Sequence, residues 1–380
     1  MPQATSVCLR HCFADLQDFR REHGRLHCLW DIIALTICAV VSGADSWVDV
    51  EQYGRDKLPW LRTFLGLANG IPAHDTFNRV FARLDPAAFR RGFLNWVGVL
   101  VEATDGRLVA IDGKTLRRSF DGAGGKGALH LISAWASENH LLLGQQAVDG
   151  KSNEITAIPE LLRLLDLAGA VVTIDAMGCQ KAIAAQVCEA GGDYVLTLKD
   201  NQGTLYEDVR QLFIDGLDND FAGVEHHSCR TADDAHGRVE GRHYHVVRMP
   251  EELAQRHPGW EGLRTLGMVF SERQVGNAEP TLEARYFISS LPPKVKAFAR
   301  AVRGHWGIEN ALHWVLDVSF REDESRLRKD HGPENLALVR RLAASLLQRE
   351  TTARGGVASK RKHAGWNNDY LLQVLGASLQ

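Results

Sequence analysis

Leu108-Val109-Ala110-Ile111-Asp112 and Val171-Val172-Thr173-Ile174-Asp175 are two short apolar runs that each end in an aspartate, 63 residues apart. Runs of this length and composition read as buried strands, and a terminal aspartate then stands at the rim of a sheet, where its carboxylate can reach a ligand. Gly113, directly after Asp112, leaves room for a backbone or substrate to come close. A third acid, Glu309, lies in the helix-like stretch His305-Trp306-Gly307-Ile308-Glu309-Asn310. Three carboxylates gathered from two strand ends and a helix repel one another unless a divalent cation neutralises them. Such a group suits phosphodiester chemistry with two metal ions. The plainer reading is that strand-end aspartates cap the following turn. Asp317, Glu322, Asp323 and Glu324 are rival third acids on spacing alone.

Outward from these runs, residues 107 to about 200 alternate β-rich and helical stretches. The strand to Asp112 is followed by strands at Leu129–Trp135 and Leu141–Val148 and a helix over Ile155–Leu167. Then come the strand to Asp175, a helix over Gln180–Ala190 and a strand at Tyr194–Leu198. Three strands, then helix, strand, helix and strand, predict a mixed sheet covered by helices. Residues 1 to about 100 read as helical, with a buried segment at Leu29–Val41 and a helix from Val48 to Leu67 broken at Pro59. A further helix has Asp75 as its cap and Phe77, Val80, Phe81 and Leu84 at helical spacing. Asn78, Arg79 and Arg83 on that helix are compatible with DNA contact, although such helical pairs are more often plain packing. From about 220 to 290 the chain turns β-rich, and after Pro293 it is helical again. There Glu309, His313 and Asp317 follow at four-residue steps, as for one polar face. Gly355-Gly356 reads as a flexible linker.

A length of 380 residues predicts two or three domains, and 45% hydrophobic with 24% charged residues predicts packed globular structure. The net charge of -3 gives no overall basic signal, so nucleic-acid contact has to come from local clusters. Arg326, Arg328, Lys329, Arg340, Arg341, Lys360, Arg361 and Lys362 are such candidates, as are Lys114, Arg117 and Arg118 just after Asp112. Seven irregularly spaced cysteines suit reduced thiols in the cytoplasm. The apolar run Ile32–Val41 is too short to span a bilayer, and no membrane association is expected. Cys8, His11, Cys12, His23, His27 and Cys28 match no common zinc spacing. The glycine-rich stretch 122–127 lacks the ending of a phosphate-binding P-loop. Trp306 and Trp314 are more readily packing residues than base-stacking ones.

Ala110-Ile111-Asp112-Gly113-Lys114, Thr173-Ile174-Asp175-Ala176 and His305 to Asn310 resemble segments of the DDE transposases of bacterial insertion sequences. The similarity is greatest to the group that includes the H-repeat-associated proteins. Lys151-Ser152-Asn153-Glu154-Ile155, Leu198 to Gln202, His236 to Arg242 and His313 to Val318 resemble the same group, so the likeness runs from about residue 10 to the last long helix. The resemblance implies an α/β fold with an RNase H-like mixed-sheet catalytic core. That core would occupy 101–204 and 293–350, interrupted by a β-rich insertion at 205–292, with a helical N-terminal domain at 1–100 and a tail at 351–380. It implies Asp112, Asp175 and Glu309 as the acidic triad, holding two Mg²⁺ or Mn²⁺ ions. The expected reaction frees a 3′-hydroxyl at the element's terminal inverted repeats and joins it to target DNA, with a homodimer on DNA to pair two ends. Relatives in the wider group carry Tyr, Arg and Lys at steps of -7, -4 and +7 from the glutamate. Here Val302, His305 and Leu316 stand at those places, leaving Arg303 or Arg300 to supply phosphate-binding charge. A catalytically silent DNA-binding descendant and a small-molecule phosphohydrolase are the alternatives.

Overall fold

The computed structural model describes residues 9–101, 108–120, 125, 127–148, 153–235, 238–276 and 278–376. Lys151, Ser152, His236 and Gly237 of the motifs above, Cys8, Asn277 and most of the glycine-rich stretch lie outside them. The chain is mixed α/β, and it divides into two compact units. One comprises 106–112 and 152–308; the other comprises 1–105, 113–151 and 309–380.

The strands are β1 (Leu108–Thr115), β2 (His130–Ala136), β3 (Leu141–Ala147), β4 (Val171–Ile174), β5 (Asp193–Leu198), β6 (His226–Ala235), β7 (Arg238–Arg248), β8 (Thr265–Val275) and β9 (Thr281–Ser289). In the first unit the order is β1-β4-β5-β9-β8-β7-β6. β1, β4 and β5 are parallel, and the remaining neighbours are antiparallel. The helix Lys181–Glu189 supplies the crossover that parallel pairing of β4 and β5 requires. The strands after residue 220 therefore extend the same sheet through β5 and β9. Residues 203–218, at the start of the expected β-rich segment, instead form a helix whose Leu205, Val209 and Phe213 are buried at helical spacing.

The helix Val295–Gly307 covers this sheet. Its Phe298, Ala299, Ala301 and Val302 pack with Leu108, Val195, Tyr244, Val269 and Phe287. Phe298 meets Tyr244 and Phe287 edge-on, at ring separations of 6.5 and 5.4 Å. Gly267 on β8 makes that contact feasible, because a Cβ there would lie 2.4 Å from the Phe298 ring.

In the other unit the helix Gly332–Arg349 is buried almost throughout and packs on Leu29–Val41, His74–Arg83 and β3. Several of its polar groups find partners inside the core. Arg341 is fully buried and pairs with Glu322 at 2.8 Å, while Asn335 Nδ2 donates to Phe81 O and Leu84 O at 2.8 and 2.9 Å. The apolar stretch Glu22–Val41 is long enough to cross a membrane, but Leu29–Val41 is a core helix with every residue except Trp30 buried. Cys28, Cys38, Cys179, Cys188 and Cys229 are free thiols.

Several local expectations are corrected. Pro59 lies in the last turn of the helix Trp47–Leu61 without breaking it; Ser46 and Asp49 close a capping box at the start. Asp75 is not the cap of His74–Arg83. The carboxylate of Glu51 takes that role from the neighbouring helix, accepting the His74 N–H at 2.7 Å and facing His74 Nδ1 at 2.9 Å. Residues 357–375 are two helices, Val357–Trp366 and Asn368–Leu375, and the Glu350 carboxylate ties down the stretch before them by accepting from Ala353 N at 3.3 Å.

Candidate active site

β1 and β4 are in parallel register with Ile111 beside Ile174, the last pair, so Asp112 and Asp175 follow side by side where the pairing ends; Asp175 lies just past β4, whereas β1 runs on beyond Asp112 to Thr115 instead of ending there. The period of two places Asp112 with Leu108 and Ala110, and Asp175 with Val171 and Thr173. Leu108 and Val171 belong to the core under the helix Val295–Gly307, so both aspartates continue the face that this helix covers. Near the helix end, His305 Nδ1 lies 3.0 Å from Thr173 Oγ1, two residues before Asp175.

Asp112 is half-buried and engaged within the protein. Asp175 is also half-buried, and its carboxylate accepts from Gly178 N at 3.4 Å, capping the short helical turn Ala176–Gly178. The turn-capping role considered from sequence is therefore present. Even so, the Asp175 carboxyl is held above its ordinary pKa. Burial is the main cause and the negative charge of Glu154 the next, opposed by the N–H groups of Gly178 and Met177 and by Lys199. A cation would relieve both causes. The hard oxygen donors of Asp112 and Asp175 fit Mg²⁺ or Mn²⁺, although among the described residues no group of three His, Cys, Asp or Glu is gathered to hold a metal.

Glu309 is exposed on a π-helical turn, Ile308–His313, that runs on into the helix Trp314–Phe320. A π turn winds at roughly 4.4 residues per turn, so residues 313 and 314 fall to either side of 309. His313 and Asp317 are half-buried, and Trp314 is exposed. The rival acids are each held by a cation. Lys114 Nζ lies 2.8 Å from Asp317 and 3.3 Å from Asp323, Arg117 lies 3.1 Å from Asp323, Arg341 holds Glu322 and Arg321 holds Glu324. Among the described residues no ion pair holds Glu309.

The basic candidates divide sharply. Lys114 is buried in the pairs just named, which removes it from the phosphate-binding set. Arg340, Arg341, Lys360 and Arg361 are buried as well, which leaves Lys362 as the exposed candidate among those after residue 330. His305 is half-buried, and burial, aided by Arg285, pushes its pKa down to about 4. It is neutral at pH 7 and supplies no charge. Val302 and Leu316, at the other two flanking places, are core residues. Arg303 is exposed and pairs with Asp233 at 2.7 Å. Arg117, Arg118, Arg326, Arg328 and Lys329 are exposed; Arg328 Nε donates to Arg118 O at 3.2 Å and the guanidinium lies 4.8 Å over the Phe120 ring.

Strand-end carboxylates on a mixed sheet are common to many enzymes, and the comparisons with known proteins separate them. Residues 103–347 match the family model described as "Transposase DDE domain", and 10–97 match that described as "DDE_Tnp_1-associated". The chain belongs to the DDE transposase family. It is 41% identical to YncI of Escherichia coli O157:H7, provisionally named a transposase, over 95% of this chain and 93% of that protein. It is 40% identical to YhhI of Escherichia coli strain K12, provisionally named an H repeat-associated transposase, over 96% of each. A cryo-EM structure of the piggyBac transposase synaptic complex with hairpin DNA superposes with a TM-score of 0.43 at 11% identity, over 98% of this chain and 82% of that one. That likeness is too distant to bear on fold or function.

Proposed function

We propose that the protein is an active insertion-sequence transposase, with Asp112, Asp175 and Glu309 as its acidic triad and Mg²⁺ or Mn²⁺, two ions, as cofactor. The observation that carries this reading is the pair of aspartates that directly follow the last paired residues of two parallel strands, one with its pKa raised by burial and a neighbouring negative charge. Bound there, divalent cations supply charge neutralisation and activation of the attacking and leaving oxygens. The chain's own residues do the rest. Thr173 and neutral His305 anchor the helix Val295–Gly307 on β4 beside Asp175. Arg117, Arg118, Arg303, Arg326, Arg328 and Lys329 hold DNA phosphates, with affinity that falls steeply with salt. The first reaction hydrolyses the element end and frees a 3′-hydroxyl; the second joins that hydroxyl to target DNA.

On this reading the parallel strands and their helices are an RNase H-like core, the β-rich segment is an insertion and the first 100 residues are a helical N-terminal domain. The enzyme works in the cytoplasm and pairs two terminal inverted repeats as a homodimer on DNA. Cleavage of duplex DNA taken from the ends flanking the gene, with Mg²⁺ or Mn²⁺, tests the proposal. Activity should vanish in Asp112→Ala, Asp175→Ala and Glu309→Ala. Full activity in Glu309→Ala refutes the triad, and absence of cleavage by the unaltered protein refutes the enzyme.

A further inference from the structure

We infer that β6 is a docking edge for a second copy of the chain, whose own β6 pairs with it antiparallel about a two-fold axis. The homodimer of the reading above acquires a surface in this way, but the pairing itself needs neither DNA nor metal. β6 is the last strand in the order of its sheet. Its ten residues pair with β7 without a register shift from His226 to Ala235, and the run contains no proline and no lysine. Bulges, prolines and lysines are among the devices that blunt exposed edges. Arg248 N donates to Glu225 O at 3.0 Å, which fixes the phase of the ladder. Every second residue from Glu225 faces β7, so the N–H and C=O groups of His226, Ser228, Arg230 and Ala232 point to the open side. Between His226 and Asp233, every residue except His226 and Cys229 is exposed.

β3, in the other unit, shows how this chain covers an edge. There Ser345 Oγ accepts from Leu142 N at 3.1 Å, and Arg90 Nη1 donates to Gln145 O at 3.2 Å. Among the described residues no side chain meets the outward backbone groups of β6 in that way. The edge is also stiff at its start, where Phe221 stacks on the His226 ring at 3.7 Å, which lowers the entropy lost on pairing. Charge along the strand identifies the partner. Arg230, preceded by His226 and His227, carries the positive charge of the first half, and Asp233 and Asp234 carry the negative charge of the second. Arg230 has no ion pair among the described residues, whereas Asp233 already meets Arg242 and Arg303. Antiparallel addition of the same strand sets each basic half against the other's acidic half, twice over by symmetry; a parallel copy sets like on like. Such an isologous contact closes at two chains, so the open edge yields a dimer and not a fibre.

The test is sedimentation velocity of the full chain without DNA, with amide hydrogen exchange on the same samples. The unaltered protein should sediment as a dimer. The amides of Ser228, Arg230 and Ala232 should then be as protected as those of Cys229 and Thr231, which face β7. Ala232→Pro removes only an outward N–H, a substitution that edge strands tolerate. It should raise the dimer dissociation constant at least about ten-fold and open the outward amides to exchange, with circular dichroism unchanged. Arg230→Glu, which leaves the backbone intact, should also weaken the dimer, and it decides the matter if Ala232→Pro unfolds the sheet. A monomer at every concentration overturns the inference, as does a dimer that neither substitution weakens or one whose outward amides exchange fast. Cleavage of element ends by a protein that stays monomeric refutes the pairing and leaves the enzyme standing; a β6 dimer without cleavage does the reverse.

Discussion

Arg361, a DNA-contact candidate by sequence, is a buried structural cation by geometry, and the two assignments predict opposite results for Arg361→Ala. Its Nη2 donates to Val40 O at 3.0 Å, Ala44 O at 3.2 Å and Asp45 Oδ1 at 2.9 Å, and its Nε donates to Val40 O at 3.2 Å. Nη1 donates to Ser319 O, and the guanidinium lies 4.2 Å over the Phe320 ring. One side chain thus bonds Val40 O in the last turn of the helix Leu29–Val41, Ala44 O just beyond it and Ser319 O on another segment. Truncation strips these buried acceptors and leaves Asp45 unpaired, a loss of about 3–5 kcal/mol. With a urea slope of about 2–3 kcal/mol/M, the unfolding midpoint should fall by roughly 1–2 M. Arg361→Lys should recover less than half, since one ammonium cannot span acceptors on separate segments. Urea unfolding followed by circular dichroism measures the shift, and DNA titrations at several salt concentrations measure the other arm. A midpoint change equivalent to less than about 1 kcal/mol, together with a salt slope reduced by one phosphate, would refute the structural assignment.

Three further outcomes follow from the geometry. His305 has a folded pKa of about 4 against about 6.5 when exposed. The unfolded chain therefore takes up a proton first: the contribution is fully present above pH 6.5 and is lost as pH falls towards 4, on the order of 2–3 kcal/mol. His305→Gln should flatten the stability profile across that window in acid titrations followed by circular dichroism. Gly267→Ala should cost about 1–3 kcal/mol by pressing a methyl on the Phe298 ring, and a double-mutant cycle with Phe298→Leu should show strong non-additivity in chemical unfolding. Arg326→Ala and Arg328→Ala should each reduce the salt slope of DNA binding by about 0.9, whereas Arg340→Ala should leave that slope unchanged in filter-binding titrations.

The strands bearing Asp112 and Asp175 were legible because short β-branched runs have few other uses, and parallel pairing set the two carboxylates at equal height. The helices over 154–162 and 181–189 were legible from apolar spacing. Glu309 was visible as a residue, but its surroundings were not. Nothing in Ile308 to His313 signals i→i+5 bonding by composition, and counting at four-residue steps did not show that His313 and Asp317 are half-buried. Charge was the least legible property. Lys114 and Arg361 look like any surface cations in sequence, because the acids and carbonyls that receive them lie more than 200 residues away or on separate segments. The cap from Glu51 to His74 was hidden for the same reason: an aspartate in the right local place, Asp75, had already answered the local rule.

Those distant partners also govern how the chain is made. The helix Leu29–Val41 is made about 300 residues before Gly332–Arg349, on which it packs, and Arg361 caps its end across a separation of 321 residues. At about 5–20 residues per second, its own packing surface takes roughly 15–60 s to be synthesised. During that interval an apolar helix waits uncovered, a target for chaperones and a seed for aggregation. The helix Leu29–Val41 thus reaches its fully buried state only after Gly332–Arg349 and Arg361 have been made, which makes the yield of folded protein sensitive to any stall between them.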